Sequence, residues 1–223
     1  MTGKLMIGTP AYDGKLGVSY VQGLIETERA MRDAGMSLSL HFTLQNSLVM
    51  HARNEIVADF LRSDCSDLLF VDSDIGFSGA DVLRLLSYDL PVVAGVYRRK
   101  TESLSFVVRF PEGGTVTRQR ATGLVEASRV GAGFLRLRRD ALERMVAAHP
   151  DLRYVPAGKS PDMPHYALFD TAMIDGELNG EDWTFCHRWR ALGGRIWVDP
   201  ELALVHVGSH SYAGALKDAL VPR

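Results

Sequence analysis

The stretch Asp67–Phe77, DLLFVDSDIGF, drives a mostly apolar run straight into Asp72, Ser73 and Asp74. Continuous apolar character of this length suits a strand covered on both faces, the kind found inside an α/β sheet. Ser78 follows as a plausible helix N-cap, and the pattern predicts a helix from there to Leu86. Working back toward the start, Leu5–Gly8 reads as a short buried strand, followed by a turn containing Pro10 and Gly14. Val18–Ala34 reads as a helix with Val21, Leu24, Ile25 and Met31 on one face, ended by Gly35. MSLSLHFTL alternates like a second strand, and Met50–Leu61 reads as a helix buried through Ile56, Val57, Phe60 and Leu61. Beyond the acidic turn, PVVAGVY reads as a fourth strand. The first hundred residues thus alternate strand and helix, which predicts an open parallel sheet. Ligands of such sheets bind beyond the carboxyl ends of the strands. Asp72 and Asp74 are expected there, after the third strand, and Pro10 and Tyr12 after the first.

The second half changes character. LSFVVRF, TGLVEASRV and GFLRLRR read as antiparallel strands, with PEGG as the turn between the first two. Asp140–Ala148 reads as a helix. Residues 150 to 180 are rich in Pro, Gly and Asp and are expected to be loop around one strand, HYALFD. GEDWTFCHRWRALGG reads as a helix ended by Gly193, and RIWVD and LALVHV as short strands. A single domain is expected, with residues 1–100 as one half and 101–223 as the other.

Composition narrows the classes. With 223 residues and 46% hydrophobic content the chain can fill one sizeable core. A net charge of -2 provides no basic field for nucleic acid, although it does not exclude such a partner. Cys65 and Cys186 are far apart and outside any CxxC, as expected of reduced thiols in a cytoplasmic protein. No signal-like apolar region opens the sequence, and no apolar run approaches the ~18 residues of a membrane span. Lys217 and Arg223 make the tail slightly basic.

Several residues carry chemistry. Paired carboxylates at a strand end offer hard oxygen ligands to Mg²⁺ or Mn²⁺; a solvated turn explains the same residues without a metal. HARNE, His51–Glu55, opens a predicted helix, so Arg53 and Asn54 can meet a phosphate or base edge, or simply lie on the surface. The glycines of GAGF, Gly131–Phe134, permit close backbone approach to a ligand, or a bulge. Glu181 and Asp182 suit the start of a helix, where the macrodipole favours anions. Asp182 also shares a face with Cys186 and Trp189, so it looks toward the core edge, where a carboxylate can act as general base. His206, after a short apolar strand, can complete a coordination shell begun by carboxylates, as can His210 four residues later.

Taken in order, ARNEIVADFL, LLFVDSDIGF, PVVAGVYRRK and GEDWTFCHRWRALGGRIWVDPELALVHVG resemble the GT-A glycosyltransferases of the family-2-like type, including small bacterial and phage proteins, over roughly residues 4 to 212. The resemblance implies a GT-A fold, α/β with a Rossmann-like nucleotide-binding half, a mixed central sheet and an acceptor-side β region. It implies transfer of a sugar from a UDP- or GDP-linked donor to an unidentified acceptor hydroxyl, with inversion if Asp182 is the base; retaining enzymes share the same fold. Asp72 and Asp74 would hold Mn²⁺ or Mg²⁺, with His206 as third ligand. Pro10, Tyr12, Arg53, Asp72 and Ser73 would line the nucleotide-sugar pocket. Asp182, from the Glu181-Asp182 pair, would be the catalytic base, and the loop from Pro156 to Asp175 would close over the site.

The sequence departs from processive members of that family. Arg188-Trp189 lacks the preceding glutamine of a QxxRW motif, and no membrane helices follow. Three rivals share features of the chain. A haloacid-dehalogenase-like phosphatase also places DxD after a strand, but continues Gly-Thr, where this chain has Ile75-Gly76-Phe77. A nucleotidyltransferase shows a Gly-rich first loop with a basic residue, loosely matched by GTPAYDGKLG and Lys15. A degenerate GT-A binding module would have lost DxD or Glu-Asp, and both are intact.

Overall fold

The computed structural model describes residues 3–113, 116–208 and 210–220. In chain order its elements begin β1 (Lys4–Ala11), α1 (Val18–Asp33), β2 (Ser37–Leu44), α2 (Val49–Arg62), β3 (Asp67–Val71), β4 (Ile75–Gly76), α3 (Gly79–Leu86) and β5 (Val92–Gly95). There follow β6 (Val108–Arg109), β7 (Val125–Ala127), β8 (Arg129–Val130), β9 (Phe134–Arg138), α4 (Arg139–Ala148), β10 (Arg153–Tyr154), β11 (His165–Tyr166), β12 (Ala172–Ile174) and β13 (Glu177–Asn179). The described chain closes with α5 (Glu181–Ala191), β14 (Ile196–Asp199), β15 (Val205–Val207) and β16 (Ser211–Ala213).

Seven strands form the central sheet in the order β2-β1-β3-β9-β5-β14-β7. The apolar run of β3 is buried on both faces, as its composition demands. Leu68 and Phe70 enter one core with Ile56, Val57 and Phe60 of α2, Leu142 and Met145 of α4, and Phe185 and Trp189 of α5. Leu69 and Val71 enter the other, with Tyr20 and Met31 of α1 and Val82 and Leu85 of α3. The strand's period of two thus stitches together two layers of helices. Fully burying side chains of this size contributes roughly 1.5–3 kcal/mol each. Helix α3 starts where predicted: Ser78 accepts from the Asp81 N–H, and Asp81 accepts from the Ser78 N–H, a complete capping box. Helix α1 lies close over β4 because Gly23 has no side chain; a Cβ there would sit 2.4 Å from the Phe77 carbonyl oxygen.

The fold is the mixed α/β sheet implied by the resemblance, but not the purely parallel one that alternation alone predicts. β1 pairs in parallel with β2 and β3. β9 then enters antiparallel between β3 and β5. Its interior Arg136 is tolerated there because Asp67 on β3 pairs with it at 2.6 Å and the Tyr88 and Leu90 carbonyls accept its remaining N–H groups.

Other boundaries differ for local reasons. β1 runs to Ala11, so Pro10 lies inside the strand and not in a following turn; it stands past Gly8, the last residue paired with β3, where its missing N–H costs that pairing nothing. TGLVEASRV is two strands in two sheets, divided at Ser128, which turns its side chain onto the Arg109 and Phe110 carbonyls. Of LSFVVRF only Val108–Arg109 is strand. Residues 150 to 180 hold β10–β13 in two small hairpins, where one strand was expected. β4 was not foreseen; two residues give no period to read. Part of the PEGG turn, at Gly114, and the terminal Arg223 lie outside the described residues. Among the described residues, no helix is long and apolar enough to cross a membrane.

Candidate active site

Asp72 follows β3 at the carboxyl end of the parallel strands, and the backbone there is pinned from three sides. The Asp72 N–H donates to the Gly133 carbonyl (3.0 Å), Gly17 N–H donates to the Ser73 carbonyl (2.9 Å), and Val207 N–H donates to the Asp74 carbonyl (2.9 Å). The acidic turn is therefore fixed by the loop after β8, by the start of α1 and by β15. Such anchoring exceeds what a solvated turn requires.

The two carboxylates diverge from this turn. Asp72 meets Arg53, whose Nη2 lies 2.9 Å from Oδ1 and 3.2 Å from Oδ2. The same guanidinium donates through Nε to Glu181 Oε1 at 3.3 Å. Its side chain is 4% exposed and lies against the Phe70 ring. Arg53 is thus neither a surface arginine nor at the helix N-terminus: α2 begins earlier, at Val49, and Arg53 points from it into the protein. Burial opposes its charge, but Asp72 and Glu181 outweigh burial and keep it firmly protonated. One guanidinium therefore ties the end of β3 to the start of α5.

Glu181 and Asp182 occupy the first turn of α5, as predicted. Cys186 and Trp189 on the same helix are buried. Asp182 Oδ1 accepts from the Trp183 N–H at 2.7 Å. Burial, followed by the neighbouring Glu181 charge, pushes the Asp182 carboxyl up to about 6, against the opposing pull of Arg53. Asp72, Glu181 and Asp182 share this single guanidinium, so the cluster is short of positive charge.

Asp74 faces elsewhere. Its Oδ2 is 2.6 Å from Lys100 Nζ and 3.4 Å from His206 Nε2. Burial works against its charge, yet hydrogen bonds from His206 and Lys100 hold the carboxyl down at about 2. His206 Nδ1 lies 2.8 Å from the Arg98 carbonyl oxygen. A carbonyl can only accept, so Nδ1 carries a proton and donates to it. A histidine donating to a carbonyl while its other nitrogen faces a carboxylate has the outer support common in metal-ligating histidines.

The predicted metal triad is therefore only partly gathered. Asp74 and His206 stand together, while Asp72 is committed to Arg53, and among the described residues no group of three metal-binding side chains assembles. A divalent cation held by Asp74 and His206 would need phosphate oxygens and water to complete its shell. The Lys100 ammonium already lies where positive charge is wanted.

Tyr12 stands beyond β1, 64% exposed, at a cavity of about 340 Å³ shared with Asp13, Gly14, Leu44 and Gln45. Its carbonyl accepts from the Gln45 N–H at 3.1 Å. Both glycines in GAGF are required for closeness: a Cβ on either would lie 2.6 Å from Tyr97 Oη, and one on Gly133 also 2.8 Å from Asp72 Oδ2. Sequence reasoning missed two residues here, both in VYRRK. Tyr97 is buried, accepts the Gly133 N–H at 3.1 Å and packs edge-on against His206 at 4.9 Å between ring centres. Burial, with the Asp72 charge, raises its hydroxyl well above the ordinary range. Lys100 is the other. Neither carries a local spacing signal, because their partners lie far away in the chain. His210 packs beside Tyr212, and no metal role emerges for it.

A cavity of about 520 Å³ lies at the opposite end of β3, lined by Asp67, Tyr88 and Arg136. Its Arg136 is already engaged by Asp67 and two carbonyls.

Comparison with known proteins gives a fold. No family model matches the chain. No curated protein matches it significantly. Among solved structures it is similar to A197 from STIV, with a TM-score of 0.57 and 17% identity over 97% of this chain and 91% of that one. That likeness extends to the fold alone. The chain is more distantly similar to a glycosyltransferase involved in glycosylation of the major capsid of PBCV-1, with a TM-score of 0.38 and 10% identity over 71% of this chain and 70% of that chain. A mannose-1-phosphate geranyltransferase from Thermus thermophilus gives a TM-score of 0.36 and 12% identity over 66% and 65% of the two chains. At those TM-scores the likeness decides neither fold nor reaction.

Proposed function

We propose that the protein transfers a sugar from a nucleotide-sugar donor to an acceptor hydroxyl, with inversion and with Asp182 as the base. The observation that carries this reading is the convergence of Asp72 and Glu181 on Arg53. It brings the acidic end of β3 against the start of α5 and sets Asp182 beside it. A carboxylate with a pKa near 6 is largely ionised at neutral pH yet basic enough to accept a proton.

In this reading the acceptor hydroxyl gives its proton to Asp182 as its oxygen bonds to the anomeric carbon, and the bond from that carbon to the diphosphate oxygen breaks. The diphosphate leaves with the electron pair. A Mn²⁺ or Mg²⁺ ion held by Asp74 and His206 would offset its negative charge. The Lys100 ammonium stands beside the same carboxylate and contributes charge of the same sign. Arg53 positions the carboxylates and takes no proton. Exposed Tyr12 offers an aromatic face for the nucleotide base.

The test is a thermal-shift panel of UDP- and GDP-sugars, each with and without Mn²⁺. A ligand held by the native state raises the midpoint by mass action, by about 2.7 kcal/mol at a hundred times Kd. The expected result is a shift with one nucleotide class that requires Mn²⁺ and disappears in Asp74→Ala. No shift with any donor, in a folded protein, would overturn the reading in favour of a non-catalytic module.

A further inference from the structure

Strands β6 and β8 form a two-residue ribbon in which Arg109 stands directly opposite Arg129. Like charges facing across a ribbon are unfavourable. Here both guanidiniums lie against one indole, with Arg109 at 5.0 Å and Arg129 at 4.9 Å from the centre of the Trp183 ring. Cation–π attraction compensates in part, but it does not neutralise two charges. Arg129 donates to Asn179 Oδ1 at 2.9 Å and reaches Glu177 only at 4.0 Å. Arg109 is exposed, and among the described residues no carboxylate pairs with it within 4.0 Å.

The position of this pair matters as much as its charge. Trp183 directly follows Asp182 in α5. From Arg129 the chain runs through Val130, whose carbonyl accepts from Cys186 Sγ, to the Ala132 carbonyl facing Arg53 Nη1 at 3.5 Å. One short segment therefore joins the arginine pair to the carboxylate cluster. A region short of positive charge adjoins one with positive charge to spare, and the candidate base lies between them in sequence.

We infer that Arg109, Arg129 and Trp183 form an acceptor subsite for a phosphate group, so that the acceptor carries a phosphate near the hydroxyl that is glycosylated. Two guanidiniums suit a dianion with several acceptor oxygens, through charge-assisted hydrogen bonds. The indole keeps both side chains extended in the absence of ligand, which limits the ordering cost of binding. Describing the subsite as the acceptor's rests on the glycosyl-transfer reading; the phosphate site itself does not.

The test is a tryptophan-fluorescence titration of the full chain with inorganic phosphate at constant ionic strength, held with chloride. A saturable response is expected, absent in Trp183→Phe and at least tenfold weaker in Arg109→Gln. Arg129→Gln should behave alike, but it also loses the bond to Asn179, so Arg109→Gln is the deciding variant. The donor-induced thermal shift should be unchanged in Arg109→Gln. Glycerol 3-phosphate added free and vesicles containing phosphatidic acid then separate a soluble from a lipid-borne phosphate; tight binding of either, lost in Arg109→Gln, supports the subsite and names its source. Equal phosphate affinity in Arg109→Gln and the parent chain, or a response reproduced by chloride alone, would overturn it. Phosphate binding at Arg109 with no donor shift would leave the subsite standing and remove the transferase reading.

Discussion

Asp74 and Asp182 belong to one candidate site, yet their surroundings push them in opposite directions. Asp74 is partly exposed and receives Lys100 and His206, which hold it down at about 2. Asp182 is more deeply set, shares the Arg53 guanidinium with Asp72 and Glu181, and is pushed up to about 6. The same side chain is held as an anion in one place and given a raised proton affinity in the other. Environment makes the difference. Asp72 differs from both, because its charge is spent on Arg53 and joins β3 to α5.

The largest effect is expected at the joint between these regions. Arg53→Met leaves Asp72 and Glu181 facing each other without a cation, which should destabilise the fold by about 3 kcal/mol. For a chain of this length that lowers Tm by roughly 6–12 °C, readable by calorimetry; an unchanged Tm would mean that the two halves of the site do not depend on Arg53.

Next comes Asp182→Asn, which should lower transfer by ~10²–10⁴ while leaving donor binding intact. Its stability should move the other way. A carboxyl whose folded pKa is raised contributes stability below its unfolded pKa of about 4 and loses that contribution as pH rises through about 6. Asparagine avoids the loss, so Tm of the variant should exceed that of the parent at pH 8, with the gap closing near pH 4. A variant that is less stable at pH 8 would contradict this view of the carboxylate cluster.

The smallest effect belongs to the exposed side of the comparison. Asp74 has a lowered pKa, so its pairing contributes above pH 4 and is lost as pH falls through about 2. Lys100→Met should cost less than ~1 kcal/mol at pH 7, because the pair is partly exposed and screened. The cost should vanish near pH 2 and shrink with added salt. If the loss is independent of salt, the Lys100 contact acts through packing and not charge.

The sequence made some of this legible and hid the rest for identifiable reasons. DLLFV announced a doubly buried strand because every interior residue had to be apolar, and Ser78 with Asp81 announced the following helix by a local hydrogen-bond pattern. Asp182 was placed correctly at a core edge, since Cys186 and Trp189 fix the buried face of α5. The central position of β9 was not legible. FLRLR contains two arginines, and nothing local says that Asp67 will neutralise Arg136 inside the sheet. The same limit hid Lys100 and Tyr97 and turned Arg53 from an expected phosphate contact into a buried tie between carboxylates. Those functions exist only once distant strands are side by side.

The central claim is that Asp182 is poised as a base by the cluster around Arg53. It is tested most directly by following the Asp182 side-chain carboxyl carbon by NMR as the folded protein is titrated. The account predicts a midpoint near pH 6. A midpoint at or below the ordinary value of about 4 would contradict it, leaving Asp182 as a helix-start carboxylate with no catalytic assignment.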